Sequence, residues 1–167
     1  MIYLITGLMA SGKSTVAEIL SGRFDLSVHL RGDIFRKMII SGRKEMSANP
    51  SEEAVAQLEL RYSLTAMTAK EYDKNGFTVV MQDNYYGEML PKMISLLETA
   101  EVRAFVLCPR LEVLKLRVAE RAKYGYENFD IENLYNDFMK TTPRVGTLID
   151  NSDETPEQTA ERILSML

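Results

Sequence analysis

Four residues near the start of the chain carry a pattern with a definite chemistry. In "ITGLMASGKSTVAEIL", Ile5 to Leu20, Gly7 and Gly12-Lys13-Ser14 fit G-x-x-x-x-G-K-[S/T]. Glycines at those two positions let the backbone turn its N–H groups inward around phosphate oxygens, so Gly7, Ala10, Ser11, Gly12, Lys13, Ser14 and Thr15 are the candidate contacts. Lys13 would reach the β- and γ-phosphates of a nucleotide, and the Ser14 hydroxyl would ligate Mg²⁺. Thr15 is the weaker phosphate contact of the set. The context the pattern needs is also present. Ile2-Tyr3-Leu4-Ile5 reads as a short strand before the loop, and Ser14 to Leu20 reads as a helix after it. The bland alternative is an ordinary strand-to-helix turn carrying a surface lysine.

Three further groups could act with that loop. In "RGDIFR", Asp33 follows an apolar run and precedes Ile34, Phe35, Met38 and Ile39, which read as the core face of a helix. Its carboxylate either caps that helix or takes the proton of a hydroxyl that attacks a γ-phosphate. Arg31 and Arg36 flank it and would hold an anionic substrate, unless they are plain surface charges. In "VVMQDNYY", Asp83 stands after four residues of strand character and is a candidate for orienting Mg²⁺ or for the substrate. A turn-starting Asp is the alternative there. Asn84, Tyr85 and Tyr86 would line the substrate site or simply pack. In "PRLEVLKLRVAER", Arg117 and Arg121 lie one helical turn apart, with Arg110 on the same line, beside an apolar stripe of Leu111, Leu114, Val118 and Ala122. Such a row can clamp the charge that develops in phosphoryl transfer. It can equally be a solvated face.

The elements that must position these groups alternate. Strand character appears at Ile2 to Thr6, Ser27 to Leu30, Phe77 to Gln82, Val102 to Cys108 and Thr147 to Asp150, with helical segments between. The clearest helix runs from Pro50 to about Asp73, opened by Ser51, striped by Val55, Leu58, Tyr62, Ala66 and Ala69, and stopped by Asn75-Gly76. That order implies an α/β fold, a parallel sheet of five strands with helices on both faces, with ligands at the carboxyl ends of the strands. Past the fifth strand, Thr155 and Pro156 make a good helix start, and the Pro156 ring could also pack on an adenine.

Composition bounds the partners. A chain of 167 residues, 46% hydrophobic, can bury about two-thirds of its unfolded surface in one core. One domain over residues 1–167 is expected. A net charge of −4 makes a nucleic-acid partner unlikely, since phosphates call for a basic face. The lone cysteine, Cys108, lies in an apolar run, fits a core position better than a nucleophile, and is in keeping with a reducing cytoplasm. No stretch reaches the roughly 18 apolar residues of a membrane span, and "MIYLITG" shows no basic region or cleavage site. A cytoplasmic protein with no membrane contact is the expectation, and the oligomeric state is not written in the sequence.

Taken together these residues resemble the small P-loop phosphotransferases, a group that includes polynucleotide kinase, chloramphenicol phosphotransferase, shikimate kinase and gluconate kinase. The resemblance implies a P-loop NTPase three-layer sandwich with ATP and Mg²⁺ as cofactors. "RGDIFR" is similar to the D-x-[YF]-R segment of the polynucleotide kinase domain, which implies a base at Asp33 and a substrate contact at Arg36. "LKLRVAER" is similar to that domain's arginine-bearing lid, which implies a helical lid around residues 110–140 bearing Arg117 and Arg121. The ending "IDNSDETPEQTAERIL" resembles the tail of chloramphenicol phosphotransferase-like proteins, where the loop before the last helix adjoins adenine. Two departures bear on the acceptor: Gly32 stands where polynucleotide kinase has a basic residue, and Asp83 is single where chloramphenicol phosphotransferase has paired acids. The resulting expectation is transfer of the γ-phosphoryl of ATP to a hydroxyl of a small molecule. The alternatives are a polynucleotide 5′-hydroxyl kinase and a nucleotide-binding switch or ATPase. Against the switch, no guanine-reading N-K-x-D is present.

Overall fold

The computed structural model describes residues 1–47, 49–98, 101–122, 130–142 and 145–167, without the side chains of 121 and 122. Five strands, β1 (Ile2–Gly7), β2 (Ser27–Arg31), β3 (Thr78–Gln82), β4 (Val102–Leu107) and β5 (Thr147–Ile149), pair in parallel in the order β2-β3-β1-β4-β5. Among the described residues seven helices join them: α1 (Lys13–Ser21), α2 (Asp33–Lys37), α3 (Glu52–Lys74), α4 (Met89–Leu97), α5 (Leu111–Ala122), α6 (Ile131–Thr141) and α7 (Pro156–Leu164).

Side chains alternate across each strand, and the two faces of the sheet therefore carry two separate cores. Tyr3, Ile5, Val80, Phe105 and Leu107 pack on Val16, Ala17 and Leu20 of α1 and Ala160 and Ile163 of α7. Ile2, Leu4, Val79 and Met81 pack on the opposite side against Tyr62, Ala66 and Ala69 of α3, Leu90 and Met93 of α4, and Leu114 and Phe138 of α5 and α6. The result is the three-layer arrangement that alternating elements imply. All five strands end on one edge, and β1 lies between β3 and β4 at its centre, so the segments leaving Gly7, Arg31, Gln82, Leu107 and Ile149 share a rim. No helix among the described residues is long and apolar enough to cross a membrane.

Helix ends follow their local chemistry. Ser51 accepts from the Ala54 N–H at the start of α3, and Thr155 with Gln158 forms a capping box at α7 with Pro156 in the first turn. Gly76 ends α3 at φ +84°.

Two expectations about apolar faces need correction. Val55 is 41% exposed, and the buried stripe of α3 is Ala54, Tyr62, Thr65, Ala66 and Ala69 instead. The helix holding Asp33 is only five residues long and buries none of them; Ile34 and Met38 face water, and Phe35 alone of its residues packs against the core. With little more than one turn, it cannot lay a full stripe on the sheet. The segment expected as a lid holds α5 and α6, with residues 123–129 outside the described residues.

Candidate active site

The loop after β1 is shaped by positions that exclude side chains. At Gly7, φ +151°, a Cβ would sit 2.5 Å from the Leu107 carbonyl oxygen and 2.7 Å from Ser11 Oγ. Gly12 adopts φ +95° directly before α1, and Ala10 is held at φ +65°, a conformation that a residue with a side chain adopts under strain. The Ser11 N–H donates to the Leu8 carbonyl at 3.1 Å, and Lys13 Nζ donates to the same oxygen at 3.2 Å. Ser14 is half-buried in the first turn of α1, where the helix dipole is positive, and Thr15 is exposed beside it.

Two residues from distant elements converge on the loop. Asn151, buried just past β5, donates Nδ2 to the Ser11 carbonyl at 2.9 Å. Arg117 on α5 donates Nη1 to that carbonyl at 3.4 Å and Nη2 to the Asn151 carbonyl at 3.2 Å. A recess of about 260 Å³ opens here, lined by Gly12, Val16, Arg117, Asn151 and Pro156 among others. Pro156 is thus on the loop's recess, as the sequence suggests. Ser11 Oγ and Asn151 Oδ1 are buried with no hydrogen-bond partner among the described residues, which suits a site that receives a polar ligand.

Across the rim lie the two carboxylates. Asp83, 6% exposed, accepts from the Asn84 N–H at 2.7 Å and faces Arg61 of α3 at 3.3 Å. The contact is not aligned as a hydrogen bond, so Asp83 Oδ2 and Arg61 Nε remain without one. Burial raises the Asp83 carboxyl above its ordinary range; Arg61, the Asn84 N–H and Lys13 pull the other way, and Asp33 adds to the rise. An unsatisfied carboxylate oxygen of this kind fits a divalent cation.

Asp33 is one-third exposed and pairs with Lys37 at 2.6 Å and Arg31 at 3.5 Å. Its partial burial works upward, but the Lys37 bond and the Arg31 charge outweigh it and hold the carboxyl below the usual range. Asp33 does not cap α2. Gly32 occupies the cap position and Asp33 is the first helical residue, so its side chain turns to Lys37 one turn on.

Other expectations fall out differently. Tyr85 is fully buried, with its ring 5.3 Å from that of Tyr62 and its backbone exchanging hydrogen bonds with the Thr6 hydroxyl. It is a core residue, held inward by that ring contact and by the anchoring of its backbone to Thr6. Its neighbours Asn84 and Tyr86 do line one, a space of about 350 Å³ that Arg36, Arg61, Tyr62 and Met89 also border. Arg36 is ion-paired with Glu45. Arg31 is half-exposed and engaged with Asp33. Arg110 does not lean over the loop with Arg117; it stands before α5 and forms a bidentate pair with Asp153. The Arg121 side chain lies outside the described residues. Cys108 is half-buried, with its thiol pushed up to about 11 by burial first and by Asp150 second, as suits an inert filler.

Sequence reasoning missed Arg61 and Asn151. The signal for Asn151 was present, since it is the second residue past a strand end on the ligand edge. Arg61 had only its place beside Tyr62, on the border of the α3 stripe.

The family model described as "AAA domain" matches residues 2–141. No curated protein matches the chain in sequence. Solved structures with this fold include the tunicamycin resistance protein of Deinococcus radiodurans, with a TM-score of 0.74 at 17% identity over 99% of this chain and 94% of that one. A sugar kinase from Janibacter sp. HTCC2649 gives 0.70 at 17% identity over 98% and 92%. Shikimate kinase from Aquifex aeolicus gives 0.67 at 19% identity over 99% and 95%. At such identities the likeness is one of fold, and the fold is that of the small P-loop kinases.

Proposed function

The chain belongs to the AAA domain family, and on that premise we propose that it is a cytoplasmic, ATP- and Mg²⁺-dependent kinase that phosphorylates a hydroxyl of a small molecule. The observation that supports this best is the loop from Gly7 to Thr15, bordered by a recess on one side and, through Lys13, in the field of Asp83, which Asp33 also acts on. In this reading the backbone of that loop and Lys13 hold the phosphates, and the recess beside Pro156 takes the base. Mg²⁺, held by Ser14 and Asp83, would neutralise charge on the phosphates.

Asp33 then accepts the proton of the acceptor hydroxyl as its oxygen bonds to the γ-phosphorus. The bond from that phosphorus to the β-bridging oxygen breaks, and the products are ADP and a phosphate ester. Asp33 is suited to this because its ion pairs keep it ionised at neutral pH and its partial exposure lets it pass the proton to water. Arg117, already seated on the loop, and Arg121 would steady the charge on the transferring group.

The test is binding followed by turnover. Mg·ATP at about 100 times its Kd should stabilise the protein by roughly 2.7 kcal/mol, a rise in Tm of about 5–10 °C for a chain of this size. Lys13→Ala should lose most of that gain. ATP consumption should then rise with a hydroxyl-bearing acceptor from a screen of antibiotics, nucleosides and sugars. An equal thermal shift in Lys13→Ala would remove the basis of the reading.

A further inference from the structure

The recess beside Asp83 has an electrical character that bears on what can enter it. Its volume, about 350 Å³, is at the low end for a small-molecule site. Leu58, Tyr62, Tyr86 and Met89 supply much of its wall and Asn84 a polar edge, while the cations among its described lining residues are Arg36 and Arg61. Each already faces a carboxylate. Arg61 faces the carboxylate of Asp83 at 3.3 Å, and Arg36 is bound by the carboxylate of Glu45. Glu45 is itself held in place, since Gln57 of α3 accepts from the Lys44 N–H at 2.9 Å and donates to the Gly42 carbonyl at 2.8 Å, tying the loop that carries Glu45 to the helix.

We propose that the phosphoryl acceptor is an uncharged, hydroxyl-bearing molecule with an apolar or aromatic body, and that Glu45 excludes anionic acceptors by occupying Arg36. The inference rests on the phosphotransferase reading of the same site. An acceptor carrying a carboxylate or phosphate would have to compete with Glu45 for Arg36, while Arg43 lies 3.8 Å from the other oxygen of Glu45, or bring an unpaired charge against Tyr62 and Met89. A neutral acceptor disturbs neither pair and still gains from the apolar wall. Glu45 is therefore a repulsive element that sets specificity, with the tyrosines as the attractive one.

The experiment uses the full chain and matched alcohols that present the same hydroxyl: methyl 4-(hydroxymethyl)benzoate against 4-(hydroxymethyl)benzoate, methyl shikimate against shikimate, and uridine against uridine 3′-monophosphate. ATP consumption should favour the neutral member at least tenfold in kcat/KM for each pair that is turned over. Glu45→Gln frees Arg36 and should narrow the gap about fivefold, the worth of one partly exposed ion pair, by lowering KM for the anions alone. Glu45 is largely exposed, so folding is not at risk. Anionic members that match or exceed the neutral ones overturn the proposal, as does an unchanged ratio in Glu45→Gln. So does a set in which no neutral member is turned over while Mg·ATP still stabilises the protein through Lys13. Loss of that stabilisation would instead fall on the phosphotransferase reading.

Discussion

Replacing Gly32 by alanine tests the packing that fixes Asp83. The backbone there is ordinary, with φ −60°, so a methyl group meets no conformational objection. It meets a steric one. The added Cβ would press on Asp83 Oδ2 and stand 3.1 Å from its Cγ and 3.2 Å from its Cβ. Asp83 has little freedom to yield. Its Oδ1 takes the Asn84 N–H at 2.7 Å, its Oδ2 faces Arg61 at 3.3 Å, and the Gly32 N–H is itself bound to the Gln82 carbonyl at 3.1 Å, which fixes the approach of the two segments. One methyl forced into a packed site typically costs about 1–3 kcal/mol. At roughly 2–4 °C per kcal/mol for a chain of this length, a mid-range value lowers Tm by about 4–8 °C. Thermal unfolding of Gly32→Ala, Asp83→Ser and the double variant separates this from a general loss. The serine removes Oδ2, the atom nearest the added methyl, so the double variant should be more stable than the sum of the singles by about 1 kcal/mol or more. A Gly32→Ala protein that melts within about 1 °C of the parent, or strictly additive costs, would refute the packing argument.

Asp33→Asn should leave stability almost untouched, because the pairs to Lys37 and Arg31 are partly exposed and such pairs contribute about 0–1 kcal/mol; kcat should fall on the order of 10² to 10⁴, and unchanged turnover on the true acceptor would leave the proposed reaction without this base. Because the folded-state carboxyl of Asp33 is depressed, its contribution to stability is present above the ordinary carboxylate range and is lost as pH falls through the lower folded value. The acid limb of kcat/KM should accordingly lie below the ordinary carboxylate range, and a limb near neutrality assigned to Asp33 by its loss in Asp33→Asn would contradict the ion-pair reading. Asn151→Ala removes a buried hydrogen bond to the loop and should weaken Mg·ATP about tenfold, measured by calorimetry, while an unchanged Kd would make Asn151 a bystander.

The sequence made the loop and the strand order of the chain legible because both are local. Gly7, Gly12, Lys13 and Ser14 complete their pattern within eight residues, and the five strands are short apolar runs separated by helices, so their expected ends lie within about one residue of the observed ones. What stayed hidden depended on partners far away in the chain. Asp33 reads equally as a cap or a base until Lys37 and Arg31 are seen to hold it, and Tyr85 reads as a site residue until its backbone is found bonded to Thr6. The five-residue length of α2 has a similar cause. Its apolar residues satisfy a helical pattern, but α3 already covers the adjacent sheet face, leaving Ile34 and Met38 to water.

The departure at Gly32 and the isolation of Asp83 have a common explanation in Arg61. The space that a basic side chain at position 32 would fill is held by Asp83, and the cation that such a residue would bring arrives from α3 instead. Arg61 is long enough to reach Asp83 from the helix while leaving its backbone in the α3 stripe beside Tyr62. The arrangement sets the two carboxylates apart. Asp83, buried against one guanidinium, is shielded from water and is suited to a fixed partner such as a cation. Asp33, at the surface between two basic side chains, stays ionised and in contact with water. The proposed phosphoryl transfer calls for one carboxylate that helps grip a charged phosphate complex and another that carries away a proton, and the strand edge sets Asp83 after β3 and Asp33 after β2, where their separate surroundings differ while their charges still act on one another.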